Sequence, residues 1–154
     1  MRIVAQRANP EGMAPYGSVV NAPAHPPTSA GAGYTFWSDI AHYRIEGETE
    51  IGLCTVVDRP GEAIDTVERH MRTPEILVPI DGPFVVPLLL EGSAEPSAFR
   101  VDPGEAIVIG EGVWHGACLP AGMARSSYFV IFRRGTPAED VQKKSVVPFY
   151  VGGA

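Results

Sequence analysis

The chain has 154 residues, of which 45% are hydrophobic, enough for one domain with a substantial core and too few for two. Its 17 Gly and 15 Pro, set against only 19% charged residues, exclude a long-helix bundle and point to short strands joined by turns. With 12 Lys and Arg against 18 Asp and Glu the net charge is −6, which excludes phosphate-backbone binding through clustered cations; no nucleic-acid partner is expected.

Residues 1–7 run into polar, Pro-rich sequence without an apolar signal core, and no stretch is long enough to cross a bilayer. The expected location is cytoplasmic, with no membrane partner and with Cys54 and Cys118 as buried, reduced thiols. Residues 8–33 are rich in Pro, Gly and Ala and read as loops and short pieces, with a turn and a short strand over 13–20. Residues 1–33 are therefore taken as an N-terminal arm and 34–154 as one barrel with a C-terminal clasp.

After Tyr34 the texture becomes β-branched. Strands are predicted over 50–58, 66–70, 75–79, 84–90, 98–101, 106–109 and 127–133, with a last strand or clasp over 146–151. Between them stand Asp81-Gly82-Pro83, Glu91-Gly92-Ser93, Asp102-Pro103-Gly104 and Ala121-Gly122, all turn sequences. This regular punctuation predicts an all-β sandwich or small closed barrel.

Glu68 and His70 are two apart on a predicted strand, so their side chains leave one face, while Arg69 leaves the other, away from any pocket. Glu75 returns beside them after a short turn, and Gly112-Val113-Trp114-His115 adds a second imidazole just beyond another strand. Two carboxylates converging inside a barrel cannot both ionise cheaply without a cation. The expected metal site is Glu68, His70, Glu75 and His115 around a divalent ion, an oxygen and nitrogen set suited to Ni, Mn, Fe or Zn. Arg72, near the ligand strand, is the candidate anchor for a substrate carboxylate. Lys143-Lys144 reads as a solvated surface pair, Trp37 and Trp114 as packing residues, and Cys118 as a neighbour of the metal mouth.

The spacing Glu68-x-His70-x4-Glu75-x6-Gly82, followed by Gly104-x5-Gly110-x-Gly112-x2-His115, resembles the two motifs of the cupin superfamily, with Glu68 in place of the usual first histidine. Val67-Glu68-Arg69-His70, Glu75 to Gly82, Phe84-Val85-Val86-Pro87, Gly112 to His115 and Ala14-Pro15-Tyr16-Gly17 together resemble ureidoglycolate lyases over residues 16–133. Gly116 stands where that family often carries a second histidine, and Glu75 where glutamine is common. The resemblance implies a cupin-type double-stranded β-helix (jelly-roll barrel) assembled as a homodimer. It also implies a divalent metal and a carbon-nitrogen lyase that splits ureidoglycolate into glyoxylate and urea, in the allantoin degradation branch of purine metabolism. Glu68 or Glu75, whichever the ion does not hold tightly, is the expected acid/base residue. The alternatives are a cupin lyase or isomerase on another small hydroxy acid, and a non-catalytic metabolite-binding cupin.

Overall fold

The structure, a computed structural model, describes residues 1–153. Its elements in chain order are β1 (Arg2–Val4), β2 (Gln6–Arg7), α1 (Pro10–Met13), β3 (Gly17–Val20), β4 (Ser29–Gly31), β5 (Tyr34–Phe36), β6 (Thr49–Val57), β7 (Ile64–Arg69), β8 (Glu75–Pro79) and β9 (Phe84–Leu89). They continue as β10 (Ser97–Val101), β11 (Ala106–Ile109), β12 (Trp114–His115), β13 (Leu119–Pro120), β14 (Arg125–Arg133), α2 (Thr136–Glu139) and β15 (Gln142–Gly152). One sheet orders β1-β15-β7-β12-β9-β10-β2 with β13 added on β9, and it faces a second sheet of order β3-β11-β8-β14-β6. This is the expected all-β barrel of two facing sheets, with both helices reduced to single turns.

Alternation along the strands fills the space between the sheets. Phe84, Val86 and Leu88 of β9 point inward onto Leu77, Phe99, Ile107 and Ile109, all buried in one cluster. Val85 leaves the opposite face and is nevertheless fully buried, because Ile3, Ala5 and Val151 pack over it with Ala98 and Ala121. That outer cover explains why β9 is apolar at every position.

The cover comes from the segment read as an arm. β1 pairs parallel with β15, β2 pairs parallel with β10, and a single residue, Ala5, joins them while donating its N–H to the Gly152 carbonyl at 2.9 Å. The first seven residues thus bridge the two edges of the larger sheet and nearly close it. β3, also from that segment, pairs with β11 as an edge strand of the smaller sheet. Gly17 permits this contact: at φ +150° a Cβ would sit 1.9 Å from the Val108 carbonyl oxygen. Residues 21–48 carry the short β4–β5 hairpin, which pairs with neither large sheet.

Sequence boundaries differ most at the C-terminus. The predicted clasp over 146–151 is part of an eleven-residue strand, β15, whose first half pairs antiparallel with β7. Its start is polar, Gln142-Lys143-Lys144, and carries no apolar period of its own; pairing with β7 imposes the extended conformation.

Candidate active site

The inner faces of β6, β7, β14 and β15 surround a cavity of about 990 Å³. His70 follows the end of β7, and its carbonyl accepts the Gly112 N–H at 2.7 Å, tying the loop before β12 to the turn after β7. Gly112 takes φ +77°, the left-handed conformation that glycine adopts at no steric cost, and β12 follows with His115 paired opposite both Glu68 and Leu88. Glu75, the first residue of β8, enters from the facing sheet. Glu68, His70, Glu75 and His115 all line the cavity.

Their geometry is that of a ligand set. One donor atom from each of Glu68, His70 and His115 lies within 4.8 Å of the others. Glu75 Oε2 is 3.1 Å from His115 Nε2 and 3.5 Å from His70 Nε2. Ligand atoms around one ion with bonds near ~2.1 Å lie roughly 3–3.5 Å apart, so these separations fit. Glu75 Oε2 and His115 Nε2 are buried without a hydrogen bond, an arrangement that a bound cation relieves. His70 donates from Nδ1 to the Asp140 carbonyl at 2.8 Å, which leaves the Nε2 lone pair aimed at Glu75 and His115. The cluster can therefore hold a divalent ion.

Electrostatics agree. Burial pushes the Glu75 carboxyl up, but His115 and His70 more than offset it, and the net shift is below the ordinary value. Burial pushes His70 down, and the adjacent Glu75 carboxylate, the Asp140 carbonyl and Glu68 reverse it to a net rise. Beyond these groups, Cys118 and Tyr128 line the cavity with Cys54 and Leu77. Burial pushes the Cys118 thiol well up, so it is an inert neutral group there.

Arg69 leaves the other face, as strand alternation requires: it bonds Glu91 at 2.7 Å and lies 4.3 Å from the Trp114 ring centroid. Arg72 does not reach the cavity. Its backbone N–H is bound by Asp140 Oδ2 at 2.8 Å in the turn after β7, and the residue is exposed outside the lining. The cation that does line the cavity is Lys143, read from sequence as a solvated residue; Lys144 leaves outward, 4.4 Å from the Trp114 centroid. Asp140 was also missed, since nothing in Glu139-Asp140-Val141 marks a residue that supports a ligand.

The sequence model of the family described as ureidoglycolate lyase matches residues 1–151. A protein named ureidoglycolate lyase from Mesorhizobium japonicum is 29% identical over 152 residues, covering 92% of this chain and 91% of its own. Another, named ureidoglycolate lyase 2, from Rhizobium meliloti is 29% identical over 133 residues, 79% of each chain. Among solved structures, Peruvianin-I from Thevetia peruviana latex, described as a cysteine peptidase, aligns with TM-score 0.50 at 15% identity, over 64% of this chain and 57% of its own; at that identity the likeness is one of fold. With a family match spanning nearly the whole chain and a carboxylate-imidazole cluster in its cavity, this protein belongs to the ureidoglycolate lyase family.

Proposed function

We propose that this protein cleaves ureidoglycolate to glyoxylate and urea, acting in the cytoplasm on a small ureido acid. The observation that supports this reading most directly is the Glu75 carboxylate set against two imidazoles within the cavity of a chain matched along 1–151 by that family. His70, His115 and Glu75, with Glu68 within reach at the more open side of the set, would hold a divalent ion, Ni, Mn, Fe or Zn, which would supply a Lewis acid toward the substrate carboxylate and hydroxyl. Glu68, less enclosed with a side chain 38% exposed, takes the hydroxyl proton. The O–H bond breaks, the C=O bond of glyoxylate forms, and the C–N bond breaks. Glu68 then returns the proton to the departing urea nitrogen, so atoms and charge balance.

The test is incubation of metal-loaded protein with ureidoglycolate, assaying glyoxylate, urea and ammonia. Equimolar glyoxylate and urea support the lyase; ammonia in place of urea reassigns the chemistry to amide hydrolysis, and absence of turnover removes the proposal.

A second copy is the proposed partner. The outer face of edge strand β6 presents Ile51, Leu53 and Val57 at 69%, 67% and 60% exposure, beside Phe129 of β14 at 43%. A nine-residue edge strand with this face and no proline or outward charge between Ile51 and Val57 lacks the usual protection against pairing. A homodimer would cover it.

A further inference from the structure

Lys143 and Lys144 are consecutive on β15, so strand alternation sends them to opposite faces. Lys144 leaves toward Trp114, whereas Lys143 pairs in register with Glu68 and lines the cavity. Among the described residues it is the one Lys or Arg in that lining, where the carboxylates are Glu50, Glu68 and Glu75. Beside a bound divalent ion, Lys143 is therefore the one permanent side-chain cation that an incoming carboxylate meets among these glutamates. Lys143 Nζ forms a loose ion pair with Glu68 Oε2 at 3.8 Å, beyond hydrogen-bond distance, and the Lys143 side chain is 65% exposed. No hydrogen bond holds its ammonium to Glu68, and an exposed pair of this kind is weak enough to exchange partners. A hydrated point charge on a flexible stem at the rim can turn to meet an anion and draw it inward.

We propose that Lys143 is a substrate-positioning residue that binds the carboxylate of a small hydroxy acid at the cavity rim, and so gives the site its preference for acids over neutral amides. The assignment rests on reading the cavity as that of a ureidoglycolate lyase. It accounts for the carboxylate anchor that Arg72 does not provide. The β7–β15 register also sets this anchor directly across from Glu68, so an acid held by its carboxylate presents its hydroxyl near the residue that takes the proton.

The test compares wild type, K143Q and K143R as purified full-length proteins of measured metal content and melting temperature. Ureidoglycolate kinetics are read beside calorimetric titration with glycolate and with its neutral analogue glycolamide. In K143Q the loss is expected in KM, about tenfold, more than in kcat, with K143R recovering most of it. Glycolate should bind wild type more tightly than glycolamide does, and K143Q should abolish that preference while leaving glycolamide binding unchanged. Unchanged KM with the glycolate preference intact in K143Q overturns the proposal. If wild type leaves ureidoglycolate untouched, the lyase reading fails alone and the glycolate comparison decides Lys143. A preference abolished by K143Q then supports the anchor; a preference absent from wild type or kept in K143Q overturns it.

Discussion

The Asp140 carbonyl oxygen accepts a hydrogen bond from His70 Nδ1 at 2.8 Å, while the carboxylate of the same residue accepts the backbone N–H groups of Met71 and Arg72 at 3.0 and 2.8 Å. One residue therefore fixes both the tautomer of the imidazole and the turn that carries it. Asp140→Ala should weaken divalent-ion binding about 10–100-fold and destabilise the fold by about 1–3 kcal/mol. Asp140→Asn, which keeps one acceptor oxygen, should lose less of both. Metal titration and thermal melts check this, and wild-type affinity in Asp140→Ala would contradict it.

The same cluster makes the metal-free protein sensitive to pH in two directions. Glu75, lowered on folding from 4.5, contributes stability that is present above its unfolded pKa and lost as pH falls through the folded one. His70, raised on folding from 6.5, contributes stability that is present below its unfolded pKa and lost as pH rises through the folded one. In chelator, the melting temperature should peak between about pH 4.5 and 6.5 and fall on either side. A divalent ion competes with the proton on His70, so its stabilisation should grow with rising pH. A chelated protein whose melting temperature climbs steadily through neutrality would show that this cluster does not govern it.

The two carboxylates should separate by experiment. Glu75→Gln removes the charge set against both imidazoles and should lower metal affinity tenfold or more, roughly the scale of a disturbed ligand shell. Glu68→Gln should keep the ion and lower kcat by about 10²–10⁴, the range of a lost general base. Metal content beside turnover of each variant reads this directly, and the opposite pattern would exchange the two roles.

Gly17→Ala should be among the most damaging single-methyl additions in the chain. The new Cβ meets backbone, the Val108 carbonyl, at 1.9 Å, in a conformation that L side chains rarely adopt. A loss of about 2–4 kcal/mol is expected from clash and strain together. Denaturant unfolding provides the measurement; a change within about 0.5 kcal/mol, typical of an unconstrained surface position, would show that β3 can leave β11 at little cost.

Leu53→Lys combined with Phe129→Glu should convert a dimer to monomer, because these neighbours are paired across β6 and β14 on the exposed apolar face. Light scattering at micromolar concentration, with circular dichroism to confirm folding, distinguishes the outcomes. A wild type already monomeric there would remove the second copy from the account.

Most strands were legible because short β-branched, apolar runs stand between local turn sequences: β8 and β11 fall at their predicted bounds, and β9 and β10 within one residue. The four clustered side chains were legible for a related reason, since Glu68, His70 and Glu75 lie on one strand-turn-strand unit and His115 carries its own turn sequence. What sequence could not place depends on pairing between distant segments. Arg72 looked near the site along the chain, but the turn held by Asp140 leaves it outside the cavity. Lys143 looked remote, yet its register with Glu68 brings it in. The first seven residues looked like a loose arm because two strands of three and two residues have no period to read; their partners supply the ladder.

The seam made by β1 and β15 has a mechanical consequence. These strands run parallel, with Arg2 beside Tyr150 and Val4 beside Gly152, so the two chain ends leave the ladder in opposite directions. Tension applied between the ends loads the seam in shear, stressing its hydrogen bonds together instead of opening them one after another. The barrel would resist stretching where its sheet is nearly closed, and rupture of that short ladder would expose Val85 and Ala98 beneath Ile3 and Val151.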